Sequence, residues 1–348
     1  MNEPTVTPAL IQSMDEGTLT KLIEDNANFS DPSIALAACE AREPYYGRRV
    51  FVRGLVEFTN YCRNGCHYCG INRANRNVFR YRLDDSQIAE CLQNGYDLGF
   101  RSFVLQGGED PYFEDDRMVS LVEKIHRKFS DCSLTLSLGE RSYSSYKRLY
   151  EAGANRYLLR HETANAEHYS MLHPGELSLK KRKECLYNLK AIGYQVGSGF
   201  MVGSPYQTYR DLACDLLFLK ELKPHMVGLG PFIPHHDTVF SGFKPGSVNL
   251  TLLMIALTRL MLPDSMIPAT TALNSLDPMG HEHGLEHGAN VIMPNLSPDE
   301  RRLDYSLYDN KRSTGTESAE CILLIREKLG NIGYEMVMGR GDHYSLTH

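Results

Sequence analysis

The chain has 348 residues, of which 42% are hydrophobic and 23% are charged, and its formal net charge is −6. This composition is typical of a globular protein with a sizeable core, and the length suits two average domains or one large α/β barrel. A sequence pI of about 6.1 disfavours a nucleic-acid binder that uses a basic face. The first residues show no signal peptide, and the longest apolar run, from Leu250, is too short to span a bilayer. We therefore expect neither nucleic acid nor a membrane as a partner.

Eight short apolar runs predict β-strands, in chain order 49–58, 101–106, 133–138, 155–160, 194–202, 225–230, 266–271 and 290–294. Amphipathic segments between them predict helices at 85–99, 117–129, 145–153, 179–193, 208–222 and 251–262. Strands that alternate with helices indicate βαβ units and a parallel sheet. Eight such units predict an α/β protein with a (β/α)8 TIM-type barrel.

The repeat of strands and helices occupies residues 48–296. Residues 1–47 predict an N-terminal helical cap, and residues 297–348 predict a C-terminal extension that contains a helix and packs on the barrel. No low-complexity tract or Gly/Ser linker separates these parts, so we expect one compact unit.

Nine cysteines are present, and six of them stand alone in helix-like or strand-like segments. With no export signal, we expect free thiols and a cytoplasmic location, because the cytosol is reducing. A buried free cysteine behaves as a small hydrophobe, so the six single cysteines are predicted to fill the core: Cys39, Cys91, Cys132, Cys185, Cys214 and Cys321.

The remaining three cysteines, Cys62, Cys66 and Cys69, lie together in the segment TNYCRNGCHYCG directly after the first predicted strand. Three thiolates in one short loop can hold a [4Fe–4S] cluster and leave its fourth iron open to an added ligand. One alternative is a structural zinc ion with His67 as the fourth ligand, although His67 adjoins Cys66 and would struggle to reach the same metal. The other alternative is that the cysteines bind no metal.

Polar, glycine-rich segments follow other predicted strands, where a barrel of this type keeps its functional residues: QGGEDPY, GER, RHETAN, GSPYQT and GPFIPHHDT. Arg160 and Glu162 in RHETAN alternate along a strand end, so both can point into the barrel mouth or form a surface ion pair. Arg182 lies on the next predicted helix, where it would by itself be expected to be solvated.

The C-x3-C-x2-C spacing, with the aromatic Tyr68 before the last cysteine, resembles the hallmark of the radical S-adenosylmethionine (SAM) superfamily. The resemblance implies that Cys62, Cys66 and Cys69 hold a [4Fe–4S] cluster, with SAM on the fourth iron. It also implies reductive cleavage of SAM to methionine and a 5′-deoxyadenosyl radical. By the same resemblance, the residues predicted to contact SAM are Tyr68, Gly107, Gly108, Glu109, Ser137, Glu162, Arg182 and Met201.

Within the superfamily, six segments resemble the HydE family of [FeFe]-hydrogenase maturases: FVLQGGEDPY, LTLSLGER, RYLLRHETAN, MVGLGPFIPHHDT, MIPATTAL and GANVIMPNLSP. The family implies a small iron–carbonyl–cyanide–cysteine complex as substrate, supplied by another maturase and processed towards the di-iron subcluster of the hydrogenase. A ferredoxin or flavodoxin is the implied electron donor. The residues predicted to contact this substrate are Thr135, Arg160, Thr270, Thr271, Tyr305 and Tyr308.

Some HydE proteins carry a second cysteine cluster near the C-terminus, but here only Cys321 follows Cys214, so we expect no second iron–sulfur cluster. This also argues against biotin synthase, a relative that needs a second cluster as its sulfur donor. A methylornithine synthase-like radical SAM mutase stays open as an alternative, as does a non-enzymatic iron–sulfur carrier or scaffold. The segment HEHGLEH, with His281, His283 and His287, is predicted to be an exposed helix rather than a metal site.

Overall fold

The computed structural model describes residues 6–28 and 31–347. Its strands are β1 Arg49–Val52, β2 Gly54–Thr59, β3 Ser102–Gly107, β4 Ser133–Ser137, β5 Arg156–Leu158, β6 Gln195–Ser198, β7 Met201–Val202, β8 Met226–Val227, β9 Gly230–Pro231, β10 Val291–Ile292 and β11 Glu335–Val337. Its helices are α1 Pro8–Ser13, α2 Glu16–Asp25, α3 Pro32–Tyr46, α4 Asp85–Asp97, α5 Asp115–Lys128, α6 Tyr143–Glu151, α7 Ala166–Leu172, α8 Leu179–Ile192, α9 Tyr209–Leu222, α10 Val248–Met261, α11 Thr271–Leu276, α12 Gly280–Glu286, α13 Asp299–Arg302 and α14 Ile322–Asn331.

The strands close into a parallel barrel with a helix layer around it, which confirms the predicted (β/α)8 fold. Six strands form one sheet in the order β2, β3, β4, β5, β6 and β8. Single parallel bridges complete the ring, joining Met226 to Met266, Pro268 to Val291, and Leu55 to Asn295. The seventh predicted strand, 266–271, therefore exists only as isolated bridges at Met266 and Pro268.

Three of the predicted strands are interrupted. Residues 49–58 divide into β1 and β2 at Arg53, and two other strands are interrupted where their backbones approach each other. Residues 194–202 divide into β6 and β7, and residues 225–230 divide into β8 and β9. Between β6 and β7, Gly199 has φ +154°, and a Cβ placed there would lie 1.8 Å from the carbonyl oxygen of Gly228. Only glycine can occupy this point, and it bends the chain at the barrel mouth.

Side-chain caps explain where the barrel helices begin and end. Asp84 forms a capping box with Gln87 at the start of α4, and Thr208 does the same with Asp211 at the start of α9. Gly193, in the left-handed region, ends α8. Helices such as α4 and α5 bury one apolar face, as the sequence pattern predicts, whereas α10 is buried on all sides from Thr251 to Met261.

The N-terminal helices pack on the last part of the helix layer: α1 and α3 contact α10, and α2 contacts α9. The predicted cap 1–47 includes residues 1–5 and 29–30, which lie outside the described residues. The division into cap, barrel and extension stays a prediction.

The C-terminal extension adds a strand that the sequence pattern did not predict. β11 pairs in parallel with β1, opposite β10, at the end of the barrel away from the cysteine loop. Beside it, the buried guanidinium of Arg156 donates to the carboxylate of Asp342 at 2.8 Å. Within the described residues, no helix is long and apolar enough to cross a bilayer.

The segment HEHGLEH forms α12, and the prediction that it is exposed is wrong, because most of this helix is buried. Each histidine has its own partner. His281 pairs with Glu317 at 2.9 Å, His283 contacts Asp277 at 2.5 Å, and the His287 ring is 2.6 Å from the carbonyl of His283. The three rings therefore do not converge on one point.

Candidate active site

The cysteine-rich loop, residues 60–82, leaves the C-terminal end of β2 and is held by polar contacts to its own backbone. The Arg80 guanidinium donates to the carbonyls of Asn60, Ile71, Asn72 and Asn75. The Asn60 amide donates to the carbonyls of Phe79 and Asp304. A loop without regular structure thus keeps one conformation, because its carbonyls are satisfied internally.

The three thiols of this loop are not gathered as they would be around a single ion. Within the described chain, the Sγ atoms of Cys62, Cys66 and Cys69 do not all lie within 4.8 Å of one another. Three thiolates on one zinc ion, with Zn–S bonds of about 2.3 Å, would stand about 3.8 Å apart.

Burial also makes three free thiolates here unfavourable. Desolvation, followed by repulsion from Cys62, raises the pKa of Cys66 to about 12. Desolvation likewise raises the pKa of Cys62 and, well above its usual value, that of Cys69. A bound metal deprotonates its thiol ligands and supplies the compensating charge. The residues present therefore fit an iron–sulfur cluster.

His67 is turned away from this centre. Its Nδ1 lies 3.0 Å from the carbonyl oxygen of Met171, and its ring packs edge-on against Phe240. Together with the sulfur spacing, this argues against the zinc alternative.

The cysteines open onto a cavity of about 300 Å³ at the C-terminal end of the barrel. The volume is that of a small-molecule site. Fifteen of the seventeen predicted site residues line it: Cys62, Cys66, Tyr68, Cys69, Gly107, Gly108, Glu109, Ser137, Arg160, Glu162, Arg182, Met201, Thr270, Tyr305 and Tyr308. Segments far apart in sequence are thus brought to one place by the barrel.

The glycine pair Gly107 and Gly108, at the C-terminal end of β3, lies directly under the cysteine loop. A Cβ on Gly108 would come within 2.2 Å of the carbonyl oxygen of Tyr61 and 2.7 Å of the Cβ of Cys62. Glu109, next in the chain, accepts the backbone N–H of Glu140 at 2.9 Å. The close contact at Gly108 and the hydrogen bond of Glu109 therefore hold the cysteine loop against the ends of β3 and β4.

Arg160 and Glu162 form a charged pair in the cavity wall, with Nη2 and Oε2 3.0 Å apart. Their alignment does not make a hydrogen bond, and these two atoms and Arg160 Nε are buried without hydrogen-bond partners among the described residues. Glu162 has φ +66°, a left-handed conformation that is strained for a residue with a side chain. Unsatisfied polar atoms and backbone strain together indicate a ligand-binding position.

Arg182 is buried, contrary to what its helix position alone suggests. Its Nε donates to Glu140 at 2.6 Å and its Nη1 to the carbonyl of Arg160 at 2.7 Å. Nη2 makes no hydrogen bond within the described chain and remains for a ligand. From helix α8, Arg182 therefore links the loops that follow β4 and β5 and presents positive charge to the cavity.

Two predicted hydroxyls do not line the cavity. Thr271 is directed to Glu317, with 2.5 Å between their oxygens. Thr135 lies two residues below Ser137 on the same face of β4, and its hydroxyl is buried without a partner in the described structure. Thr270 does reach the cavity, while its hydroxyl also accepts the N–H of Leu273 at the start of α11.

The tyrosine segment after α13 is held by a buried ion pair that no sequence motif predicts. Lys311 Nζ lies 2.5 Å from a carboxylate oxygen of Glu57 on β2, and it also donates to the carbonyl of Tyr305 at 3.1 Å. Tyr305 and Tyr308 therefore close the cavity from a fixed position. Only tertiary structure brings residues 57 and 311 together.

Sequence reasoning also missed a buried triad beneath the RHETAN segment. His161 Nδ1 lies 2.8 Å from the Ser198 hydroxyl, and His161 Nε2 lies 3.3 Å from Asp215. Asp215 in turn accepts the N–H of Ala164. These contacts hold the turn that carries Arg160 and Glu162. Apolar residues that were not singled out complete the cavity wall: Ile71, Leu158, Leu159, Phe232, Ile233 and Leu307.

Comparisons with known proteins agree with this geometry. The family model described as "Radical SAM superfamily" matches residues 56–219. The chain is 46% identical over 296 residues to the [FeFe] hydrogenase maturase subunit HydE of Thermotoga maritima, covering 85% of this chain and 84% of that protein. It is 32% identical over 278 residues to the 3-methylornithine synthase of Methanosarcina barkeri, covering 78% of this chain and 77% of the relative.

Solved structures show the same fold. The crystal structure of methylornithine synthase (PylB) superposes with a TM-score of 0.83 at 27% identity, covering 94% of this chain and 96% of that one. The crystal structure of HydG, a maturase of the [FeFe]-hydrogenase, superposes with a TM-score of 0.74 at 19% identity, covering 95% of this chain and 78% of HydG.

Proposed function

The chain belongs to the radical SAM superfamily and, within it, to the HydE family of [FeFe]-hydrogenase maturases, and from this premise we propose that it processes a small cysteine-containing iron complex. That complex, of the iron–carbonyl–cyanide–cysteine type, would come from another maturase and lead towards the di-iron subcluster of the hydrogenase. The protein is an enzyme that depends on a [4Fe–4S] cluster and SAM. When bound, these two groups supply a one-electron cleavage that generates a 5′-deoxyadenosyl radical.

The observation that carries the proposal is that one cavity is lined both by the three cysteines and by an incompletely satisfied arginine. Cys62, Cys66 and Cys69 would hold the cluster. In the same cavity, Arg160 has guanidinium nitrogens without hydrogen-bond partners among the described residues, and Thr270 offers a hydroxyl. A guanidinium binds a carboxylate through charge-assisted, often bidentate hydrogen bonds, so Arg160 suits the carboxylate of a cysteine-like ligand.

The SAM contacts are assigned to the same cavity. Gly107, Gly108 and Glu109 follow one strand, while Glu162 and Arg182 approach from the next part of the barrel. Two of the three Arg182 guanidinium nitrogens bind Glu140 and the Arg160 carbonyl, which leaves Nη2 for the SAM carboxylate. Tyr68, Ser137 and Met201 complete this part of the wall and help to exclude water.

Thr135, Thr271 and the two tyrosines have narrower roles in the proposal. Thr135 is assigned to a deeper polar position reached through the cavity floor, because its hydroxyl has no partner in the described chain. Thr271 orients the start of α11 through Glu317 rather than touching substrate. Tyr305 and Tyr308 close the mouth over the ligand.

The two alternatives are less well supported. A methylornithine synthase-like mutase shares the fold, but its relatives are 30% and 32% identical, against 46% for HydE. A carrier that only hands on a cluster would not need a cavity with a buried arginine and a strained glutamate beside the cysteines. An oxygen-sensitive cluster and cysteines without disulfides among the described residues also suit the cytoplasmic location expected from the sequence.

In vitro maturation of [FeFe]-hydrogenase tests the proposal. Hydrogenase activity is measured with this protein omitted, added, or added as Cys62→Ser, with the other maturases constant. We expect activity only with the unaltered protein and with a control variant, Cys214→Ser, whose thiol lies outside the site. Equal hydrogenase activity in all samples would remove the maturase assignment. Production of 5′-deoxyadenosine without hydrogenase activity would favour the mutase.

Arg160→Lys tests the carboxylate assignment separately. Lysine keeps the charge but cannot form a bidentate contact. We expect lower maturation activity with unchanged SAM binding, measured by equilibrium dialysis. Full activity of this variant would contradict the assigned role of Arg160.

A further inference from the structure

The cysteine-rich loop has a charge opposite to that of the chain. Residues 60–82 contain five arginines and no Asp, Glu or Lys, whereas the whole chain has a net charge of −6. Two of the arginines are used internally. Arg80 binds four backbone carbonyls, and Arg82 forms an ion pair with Asp110 at 2.7 Å. The other three are on the surface.

The outward-facing arginines are Arg63, Arg73 and Arg76. Arg63 and Arg73 make ion pairs with Glu109 and Glu176, and both arginine side chains remain more than half exposed. Exposed pairs of this kind contribute little and are readily exchanged for other partners. Among the described residues, Arg76 forms no ion pair.

The same loop also carries an exposed aromatic ring. The Phe79 side chain is 62% exposed, and the Arg301 guanidinium lies over its ring at 5.3 Å. Leu303, two residues after Arg301, is 74% exposed. Arginine and aromatic residues are the types enriched at protein interfaces. We call the four exposed side chains of this loop, Arg63, Arg73, Arg76 and Phe79, the arginine face.

The arginine face is the outer side of the loop whose inner side carries the cysteines. Arg63 directly follows Cys62, and the Arg73 guanidinium donates to the Arg63 carbonyl at 3.2 Å. Arg73 Nε also lies 3.6 Å from the Cβ position of Gly65, next to Cys66. A protein bound on this face is therefore separated from the thiols by little more than the loop itself.

We propose that the arginine face is the docking surface for an acidic one-electron carrier protein that reduces the cluster. The carrier loses one electron and the cluster site gains one, so no other co-reactant is needed. The proposal rests on the radical SAM chemistry of the proposed function and not on the identity of its substrate. An acidic carrier would be repelled by most of this acidic chain and attracted to the arginines, which orients the encounter.

Direct binding is the first test, with a purified bacterial [4Fe–4S] ferredoxin as the probe and a purified flavodoxin in a parallel arm. Isothermal titration of the anaerobic holoenzyme measures Kd at several salt concentrations. We expect binding that weakens as salt rises, because screening shortens the reach of surface charge. In the double variant Arg73→Glu/Arg76→Glu, we expect Kd to increase by about tenfold or more, with a flatter salt dependence. Phe79→Ala should weaken binding without changing the salt dependence.

Turnover is the second test, read as 5′-deoxyadenosine formation from SAM. The double variant should have a raised KM for the ferredoxin but an unchanged rate with titanium(III) citrate, which does not need a docking surface. Arg326→Glu is the matched control, since it reverses an exposed arginine on α14, near β11 at the opposite end of the barrel. It should match the unaltered protein in every measurement.

Unchanged Kd and KM in the double variant, for both carriers, would overturn the proposal. An equal loss of rate with carrier and with titanium(III) citrate would also overturn it, because the arginines would then act on the cluster loop itself. Failure of the hydrogenase maturation assay would leave these results standing, since SAM cleavage requires no hydrogenase. The two proposals therefore fail separately.

Discussion

Replacing Arg182 by alanine should weaken SAM binding without removing the cluster. Its free Nη2 is assigned to the SAM carboxylate, a charge-assisted hydrogen bond that contributes about 1.5–3 kcal/mol. This corresponds to an increase in the Kd for SAM of about 10- to 150-fold. None of the thiols is hydrogen-bonded to Arg182 in the described contacts, so we expect iron and sulfide contents to be unchanged.

The same substitution should also lower stability. Arg182 pairs with Glu140, whose side chain is 12% exposed, so truncation leaves a largely buried carboxylate without its partner. Breaking a buried pair in this way costs about 3–5 kcal/mol. Solvent at the cavity mouth reduces this, and we expect a loss of about 2–3 kcal/mol in the free energy of unfolding.

Three variants separate affinity from stability. Arg182→Ala should lose both, and Glu140→Gln should lose stability but keep most of the SAM affinity. Lys181→Ala, an exposed neighbour on the same helix, should lose neither. SAM affinity is measured by equilibrium dialysis of anaerobically reconstituted protein, and stability by urea denaturation. If Arg182→Ala and Glu140→Gln weaken SAM binding equally, Arg182 acts only through Glu140, and the direct contact with SAM is refuted.

Two further predictions concern the loop and the barrel mouth. Gly108→Ala should reduce bound iron at unchanged protein yield, because the new methyl would overlap the cysteine loop at 2.2 Å; a full iron content would contradict this. His236 forms a hydrogen bond with Asp309, which raises the His236 pKa, so the pair stabilises the fold at low pH and loses its effect as the pH rises through that raised value. His236→Asn should therefore have a lower Tm than the unaltered protein at pH 6 and the same Tm at pH 9. If the variant and the unaltered protein have the same Tm at pH 6 as well, the pair does not stabilise the fold.

The sequence predicted the barrel well because its signals are local. Each strand and its following helix show their own periodicity, and glycine or capping residues mark their ends. The cysteine motif is equally local, since three ligands lie in one loop. The strand prediction was least accurate where a strand makes few hydrogen bonds. Residues 266–271, for example, form only isolated bridges.

The parts of the site that escaped prediction depend on long-range contacts. Arg182 looks solvated on its helix, yet it is buried because Glu140 and the Arg160 carbonyl approach it from other loops. Lys311 reaches Glu57 across 254 positions of sequence. No periodicity or motif in the sequence predicts such pairs, because each residue, taken alone, is compatible with a surface position.

The loop of residues 60–82 forms part of both proposed sites, the cavity that binds the cluster and the surface that binds the electron carrier. Its inward side presents three thiols to a cavity, and its outward side presents arginines and Phe79 to solvent. Between the two sides, Arg80 binds backbone carbonyls and lies close enough to Cys62 and Cys69 to interact with them electrostatically. Because Arg80 supports both sides, its replacement would disturb cluster and surface together, whereas Arg76 lies only on the outer side. Substitutions at Arg76 can therefore change the delivery of electrons while the chemistry in the cavity stays intact.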